Sequence, residues 1–98
     1  MIIIQFDQTE IKAFESIFDK DSYDPNYVTS KQLGGAEIFL QVILTVTSVV
    51  SPYIIEFFKD QKKKKKQIKV IKEGVELTFE SEDALQKYLD SIKSKDDK

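Results

Sequence analysis

The chain has 98 residues, enough for one small domain over residues 1–98, and 41% of them are hydrophobic, which is sufficient for a core. Its 15 basic residues are all lysine and stand against 17 Asp and Glu, for a net charge of −2, and it has no Cys and no His. These absences exclude disulfide frameworks, the common zinc sites, Cys nucleophiles, His-based triads and bidentate guanidinium clamps. We therefore expect a protein that is not an enzyme and has no metal site and no cofactor.

The N-terminal third predicts a strand and a helix (residues 1–20) followed by a loop. Met1–Phe6 is a β-branched apolar run typical of a buried strand, and it lacks the basic start of a signal peptide. Asp7 and Glu10 then have the spacing that caps a helix. Residues 21–35 contain Asp-Pro, Ser and two adjacent Gly and predict an acidic loop. The absence of Cys and of a signal peptide favours a cytoplasmic location.

Residues 36–66 are predicted to form a long apolar helical segment that ends in a lysine run. Polar residues recur in it every three or four positions, which places them on one side of a helix: Glu37, Gln41, Thr45, Ser48, Pro52 and Glu56. The other side carries a candidate helix–helix or partner interface: Phe39, Val42, Val46, Val49, Val50, Tyr53 and Phe57. Because Ser51-Pro52 suits a helix start, two shorter helices over about 36–50 and 52–65 are an alternative.

The same segment has a membrane interpretation. Ile38–Ile55 is an uncharged stretch of 18 residues, the minimum for a transmembrane helix. A lipid-facing helix does not need a polar stripe with a Glu at each end, which favours packing in a soluble core. If the stretch spans the inner membrane, the lysines after Lys59 place the C-terminus in the cytoplasm. The sequence leaves both interpretations open.

Five consecutive lysines close the helical segment: Lys62, Lys63, Lys64, Lys65 and Lys66. Cations at a helix C-terminus complement the helix dipole, which explains the run without a ligand. The run is also a candidate contact for a partner protein or for anionic lipid. Nucleic acid is disfavoured because no aromatic residue or Arg is interleaved and the net charge is negative.

Residues 67–93 predict a β-hairpin and a helix. Ile68–Phe79 alternates apolar with charged residues around a Glu73-Gly74 turn. Ser81 has the position of a helix N-cap, followed by acidic residues in the first turn. The buried stripe of this helix is predicted to be Leu85, Tyr88, Leu89 and Ile92. Residues 94–98 are a charged tail that we expect to be frayed.

These elements predict an α+β fold. The N-terminal strand would join the C-terminal hairpin in a small sheet of about three strands. Helices over residues 9–20 and 82–93 would cover one face of that sheet. The sequence does not decide which hairpin strand pairs with the N-terminal strand.

The order of elements resembles that of the small bacterial "effector-associated constant component" proteins, which are accessory proteins of predicted conflict and anti-phage systems. The residues that carry the resemblance are Met1–Phe6, Gly35-Ala36-Glu37, Ser48–Pro52, Lys59–Lys66, Ile68–Phe79 and Ala84–Leu89. The resemblance implies a short protein encoded with a separate effector, often a protease-like or other toxic domain. The short protein would bind, position or restrain that effector, and there are no catalytic residues to carry over.

Four functions are therefore compared. The first is a non-enzymatic interaction or regulatory subunit that binds a protein partner and can form homo-oligomers. The second is a membrane-anchored accessory protein with Ile38–Ile55 in the bilayer. A lysine-driven nucleic-acid binder and a small hydrolase with a carboxylate pair are the third and fourth. The missing chemistry favours the first.

Overall fold

The structure is a computed structural model that describes residues 1–18, 29–33 and 37–93. Over these residues the chain forms five β-strands, three α-helices and one 3-10 turn. In chain order they are β1 (Ile2–Asp7), the 3-10 turn (Gln8–Glu10), α1 (Ile11–Ile17), β2 (Thr29–Leu33), β3 (Glu37–Leu44), α2 (Val50–Lys63), β4 (Lys69–Lys72), β5 (Val75–Leu77) and α3 (Glu82–Ile92).

The described strands make one antiparallel sheet in the order β2-β3-β1-β4-β5. β1 is the middle strand and pairs with β3 from Ile2↔Leu44 to Asp7↔Phe39. On its other side β1 pairs with β4 at Ile3↔Ile71. The α+β class is confirmed, and the N-terminal strand joins the hairpin through β4. The prediction of about three strands is wrong because β2 and β3 extend the sheet.

The predicted helical segment over residues 36–66 is wrong in its first half. Glu37–Leu44 is strand β3, held between β1 and β2 by hydrogen bonds on both sides. Only the second half is helical, as α2, and the Thr47 hydroxyl accepts a hydrogen bond from the Val50 backbone N–H at its start (3.1 Å). Pro52 lies in the first turn of α2, where its missing N–H costs no helical hydrogen bond. Among the described residues, no helix is long and apolar enough to cross a membrane.

The predicted acidic loop over residues 21–35 is also wrong in part. Thr29–Leu33 is strand β2, paired with β3. Residues 21–28 and 34–35 of that prediction lie outside the described residues, as does the predicted tail at 94–98.

One face of the sheet and all three helices bury a single core. Alternate β1 residues (Ile2, Ile4 and Phe6) are at most 1% exposed and point to this face. The Phe6 ring stacks on Phe14 of α1 (5.1 Å between centroids) and meets Phe57 of α2 edge-on (5.0 Å). These aromatic contacts fix both helices against the middle strand.

The C-terminal hairpin and helix form as predicted. In α3 the Ser81 hydroxyl accepts a hydrogen bond from the Ala84 N–H (3.2 Å), and Leu85 and Leu89 are fully buried. In the hairpin turn Glu73 and Gly74 have φ values of +52° and +82°. Positive φ at both central residues is what a type I′ turn requires.

This turn generates a paired prediction on stability. Gly74→Ala should lower the free energy of unfolding by about 1 kcal/mol because φ is positive there. A Cβ at Gly74 meets no atom within 4 Å, so the cost is conformational and not steric. Glu73→Asn should raise stability by about 0.5 kcal/mol, since Asn tolerates this region better than Glu. Urea unfolding measures both; equal effects of the two variants would contradict this turn geometry.

Candidate functional site

The lysine run lies at the end of α2, and its members have different surroundings. Lys64 Nζ lies 2.8 Å from Glu10 Oε1 and 3.1 Å from Asp60 Oδ2. Lys66 Nζ lies 2.9 Å from Glu10 Oε2. Two of the five ammonium groups are therefore bound to the same carboxylate near the start of the chain.

Glu10 is positioned by the 3-10 turn that follows β1. The Asp7 carboxylate accepts hydrogen bonds from the Thr9 N–H (2.9 Å) and hydroxyl (2.8 Å), which fixes this turn. The Glu10 side chain is 10% exposed and also accepts a hydrogen bond from Gln61 Nε2 (2.9 Å). The Lys64 bond, with those of Lys66 and Gln61, lowers the pKa of Glu10 from 4.5 to about 2. We call Glu10, Gln61, Lys64 and Lys66 the Glu10 junction.

The other three lysines are all exposed and do not contact Glu10. Lys62 Nζ donates to the Glu80 carbonyl oxygen (2.6 Å) and lies 5.9 Å from the centroid of the Phe58 ring. Lys65 adopts a left-handed conformation with φ of +59° where the helix ends. Lys63 and Lys65 have no ion pair within the described residues. The run as a partner or lipid contact stays a prediction, centred now on Lys62, Lys63 and Lys65.

The seven residues of the candidate helix–helix interface do not share one surface. Five of them belong to or pack against the chain's own core: Val42, Val46, Val50, Tyr53 and Phe57. Phe39 points from β3 to the side opposite Val42, because side chains alternate along a strand. Val49 is 61% exposed ahead of α2.

The opposite face of the sheet is the structure's main unassigned surface. None of the three helices packs on it in the part of the chain that the structure describes. Ile43, Ile3 and Ile71 form a row across strands β3, β1 and β4, since Ile3 is the pairing partner of both others. These three residues and Phe39 are half-buried apolar residues that are not part of the core. We call this surface the uncovered face.

A second row on the uncovered face is polar. Gln5 is paired with Gln41 and with Lys69, and Gln41 Nε2 donates to Gln5 Oε1 (2.8 Å). Lys69 Nζ lies 3.1 Å from Glu76 Oε1 across the hairpin. A shallow depression of about 290 Å³ is lined by Gln5, Phe39, Gln67 and Lys69. The face thus has an apolar centre beside an uncharged amide pair.

A groove lies on the other side of the molecule, over the outer surface of α2. Its volume is about 690 Å³, and its sides include Glu56, Lys59, Asp60 and Lys63, so charges of both signs line it. Among the described residues, no group of three or more Asp, Glu, His or Cys side chains could hold a metal ion.

Sequence reasoning missed the uncovered face because it assigned residues 36–44 to a helix. The sequence did contain a signal for it. Gln5 and Gln41 are each a single amide within an apolar run. This pattern is typical of a strand that is apolar on both faces except at one polar position.

Comparison with known proteins assigns neither a family nor a function to the chain. No protein-family model matches the chain, and no curated protein and no solved structure does so either.

The Glu10 junction generates a prediction on pH dependence. Because the folded pKa of Glu10 (about 2) is below its ordinary value of 4.5, its contribution to stability is complete above about pH 5 and is lost as the pH falls towards 2. Glu10→Gln should therefore lower the free energy of unfolding at pH 7 by about 1–3 kcal/mol. The loss is smaller than for a fully buried ion pair because both lysines are partly in water. The difference in the free energy of unfolding between the wild-type chain and the Glu10→Gln variant, measured by urea unfolding, should shrink from pH 7 to pH 2.

Lys63→Gln is the matched control within the lysine run, because Lys63 has no ion pair in the described residues. Its effect should stay within about 0.5 kcal/mol. A Glu10→Gln difference that is as large at pH 2 as at pH 7 would contradict the lowered pKa.

Proposed function

We propose that this chain is a non-enzymatic interaction module that associates with another protein chain through the uncovered face. The observation that carries the proposal is the row formed by Ile3, Ile43 and Ile71, which lies outside the core. An antiparallel sheet with a face in water usually presents polar residues there. An apolar row across three neighbouring strands is instead typical of a surface that another chain covers.

The non-enzymatic part of the proposal is supported by how the chain uses its charged groups. Glu10 has the most strongly lowered pKa among the carboxylates of the described residues, and it is occupied by two lysines and an amide. Two hydrogen bonds at Oε1 and one at Oε2, two of the three from ammonium groups, suit a structural ion pair that keeps Glu10 ionised.

The biological role in the proposal comes from the resemblance in the order of elements. We propose that the chain is a regulatory subunit that binds, positions or restrains an effector in a bacterial conflict system. The helices lie on one side of the sheet and the uncovered face is the other side. Two chemically different surfaces suit a protein that brings other chains together.

Site-specific photocrosslinking tests the proposal. With p-benzoylphenylalanine in place of Ile43, irradiation of cells of the source organism should give a covalent protein adduct. Mass spectrometry would then identify the second chain. The same group in place of Lys59, on the exposed outer surface of α2, is the control and should give at most a minor adduct. No adduct at position 43, or equal adducts at both positions, would contradict an interaction through the uncovered face.

A further inference from the structure

We infer that a pocket at the end of α2 binds a small monoanion with an apolar body, such as a medium-chain or aromatic carboxylate. The pocket lies between the end of α2 and residues 78–80, which follow β5, and has a volume of about 310 Å³. Its walls include three lysines and three apolar residues: Lys62, Lys65, Lys66, Phe58, Ile68 and Phe79. We call it the Lys65 pocket. It does not include the isoleucine row of the uncovered face, so the inference stands apart from the proposed function.

The ammonium group of Lys62 is held in place at the wall of the Lys65 pocket. Its Nζ donates a hydrogen bond to the Glu80 carbonyl oxygen (2.6 Å) and lies 5.9 Å from the centroid of the Phe58 ring. Among the described residues Lys62 has no ion pair, so no carboxylate neutralises its charge. An ammonium group has three N–H donors, and one is used here. A positioned cation with further donors suits an anionic ligand, because little side-chain entropy is lost on binding.

Lys65 occupies a backbone position that favours glycine. Where α2 ends, the Lys66 N–H donates to the Gln61 carbonyl oxygen (2.9 Å), and the Lys65 N–H donates to the Lys62 carbonyl oxygen (3.0 Å). This is the Schellman pattern, whose left-handed residue is usually Gly, yet here it is Lys65 with φ of +59°. In the part of the chain that the structure describes, Lys65 forms no ion pair that offsets this cost. A ligand in the pocket gives its side chain a role.

The charge of the Lys65 pocket matches one negative charge. Lys66 is paired with Glu10, which leaves Lys62 and Lys65 as the unpaired cations of the pocket. Glu80 also lines it and has no ion pair within the described residues. Two positive charges against one negative charge leave an excess of one. A carboxylate neutralises this excess, whereas a phosphate group, with a charge of about −2, exceeds it.

The apolar walls and the volume indicate the rest of the ligand. Phe79 is half-buried and packs on Tyr88 (5.3 Å between ring centroids), while Phe58 and Ile68 are 6% and 5% exposed. At about 30 Å³ for each water-sized group, a volume of about 310 Å³ holds roughly ten non-hydrogen atoms. This volume is at the lower end of small-molecule sites, which span about 300–1,000 Å³. Octanoate and phenylacetate have about this size and carry one negative charge each.

A nuclear magnetic resonance titration of the isotope-labelled whole chain tests the inference. Octanoate and phenylacetate should each shift the amide resonances of residues 62–68 and 78–80, with a dissociation constant of roughly 0.1–1 mM. Octanamide has the same chain without the charge and should bind about fivefold more weakly. Acetate has the charge without the apolar body and should not saturate these resonances below about 10 mM.

Lys65→Gly is the most informative variant, because its two expected effects have opposite signs. Gly suits the left-handed position, so the variant should unfold at a higher urea concentration than the wild-type chain. Loss of the ammonium group should nevertheless weaken octanoate binding about threefold to fivefold, as should Lys62→Gln. Lys59→Gln is the matched control, since it removes an exposed lysine of the same helix that does not line the pocket. Its dissociation constant for octanoate should equal that of the wild-type chain.

Each other result would overturn the inference. One is the absence of saturable shifts with both octanoate and phenylacetate up to about 10 mM. A second is binding that Lys65→Gly and Lys62→Gln leave unchanged, or that Lys59→Gln weakens as much as they do. A third is octanamide or inorganic phosphate binding as tightly as octanoate, because the pocket would then not recognise a monoanion with an apolar body.

Discussion

The structure depends on the position of β1 in the middle of a sheet whose described helices all lie on one side. Because β1 pairs with β3 and β4, its six residues align the other strands, and its alternating side chains divide the sheet into two faces. Phe6 on one face anchors α1 and α2 through Phe14 and Phe57. Ile3 on the other face is the centre of the apolar row. A single strand thus determines both the core and the surface proposed for binding.

The Glu10 junction is the second constraint, and it explains a sequence feature that invites a functional interpretation. Five consecutive lysines suggest an anionic ligand, but Lys64 and Lys66 both bind Glu10, which directly follows β1 in the 3-10 turn. The junction joins the end of α2 to the end of the middle strand, across more than fifty residues of chain. Part of the positive charge therefore holds the helix layer on the sheet, and the remaining lysines are the ones available to a partner.

The hairpin, the N-terminal strand and α3 were predictable because each carries a local signal. These signals are the Glu73-Gly74 turn, the β-branched apolar run Met1–Phe6 and the Ser81 cap, respectively. The first half of the segment over residues 36–66 was not predictable, because its first two polar residues, Glu37 and Gln41, are four positions apart. Residues four apart lie on one side of a helix and also on one face of a strand, so Glu37 and Gln41 fit both structures. Pairing with β1 along six of the eight residues of β3 decided between them, and such long-range pairing is not encoded in local spacing. The candidate interface failed to assemble for the same reason.

Cysteine accessibility at two adjacent positions of β3 tests the account most directly, because the chain has no other Cys. Val42 is fully buried in the core, whereas Ile43 lies on the uncovered face. We predict that Ile43→Cys reacts readily with a thiol reagent under native conditions. Val42→Cys should react only when the chain unfolds. Equal reactivity of the two cysteines under native conditions would contradict a sheet with one covered and one uncovered face.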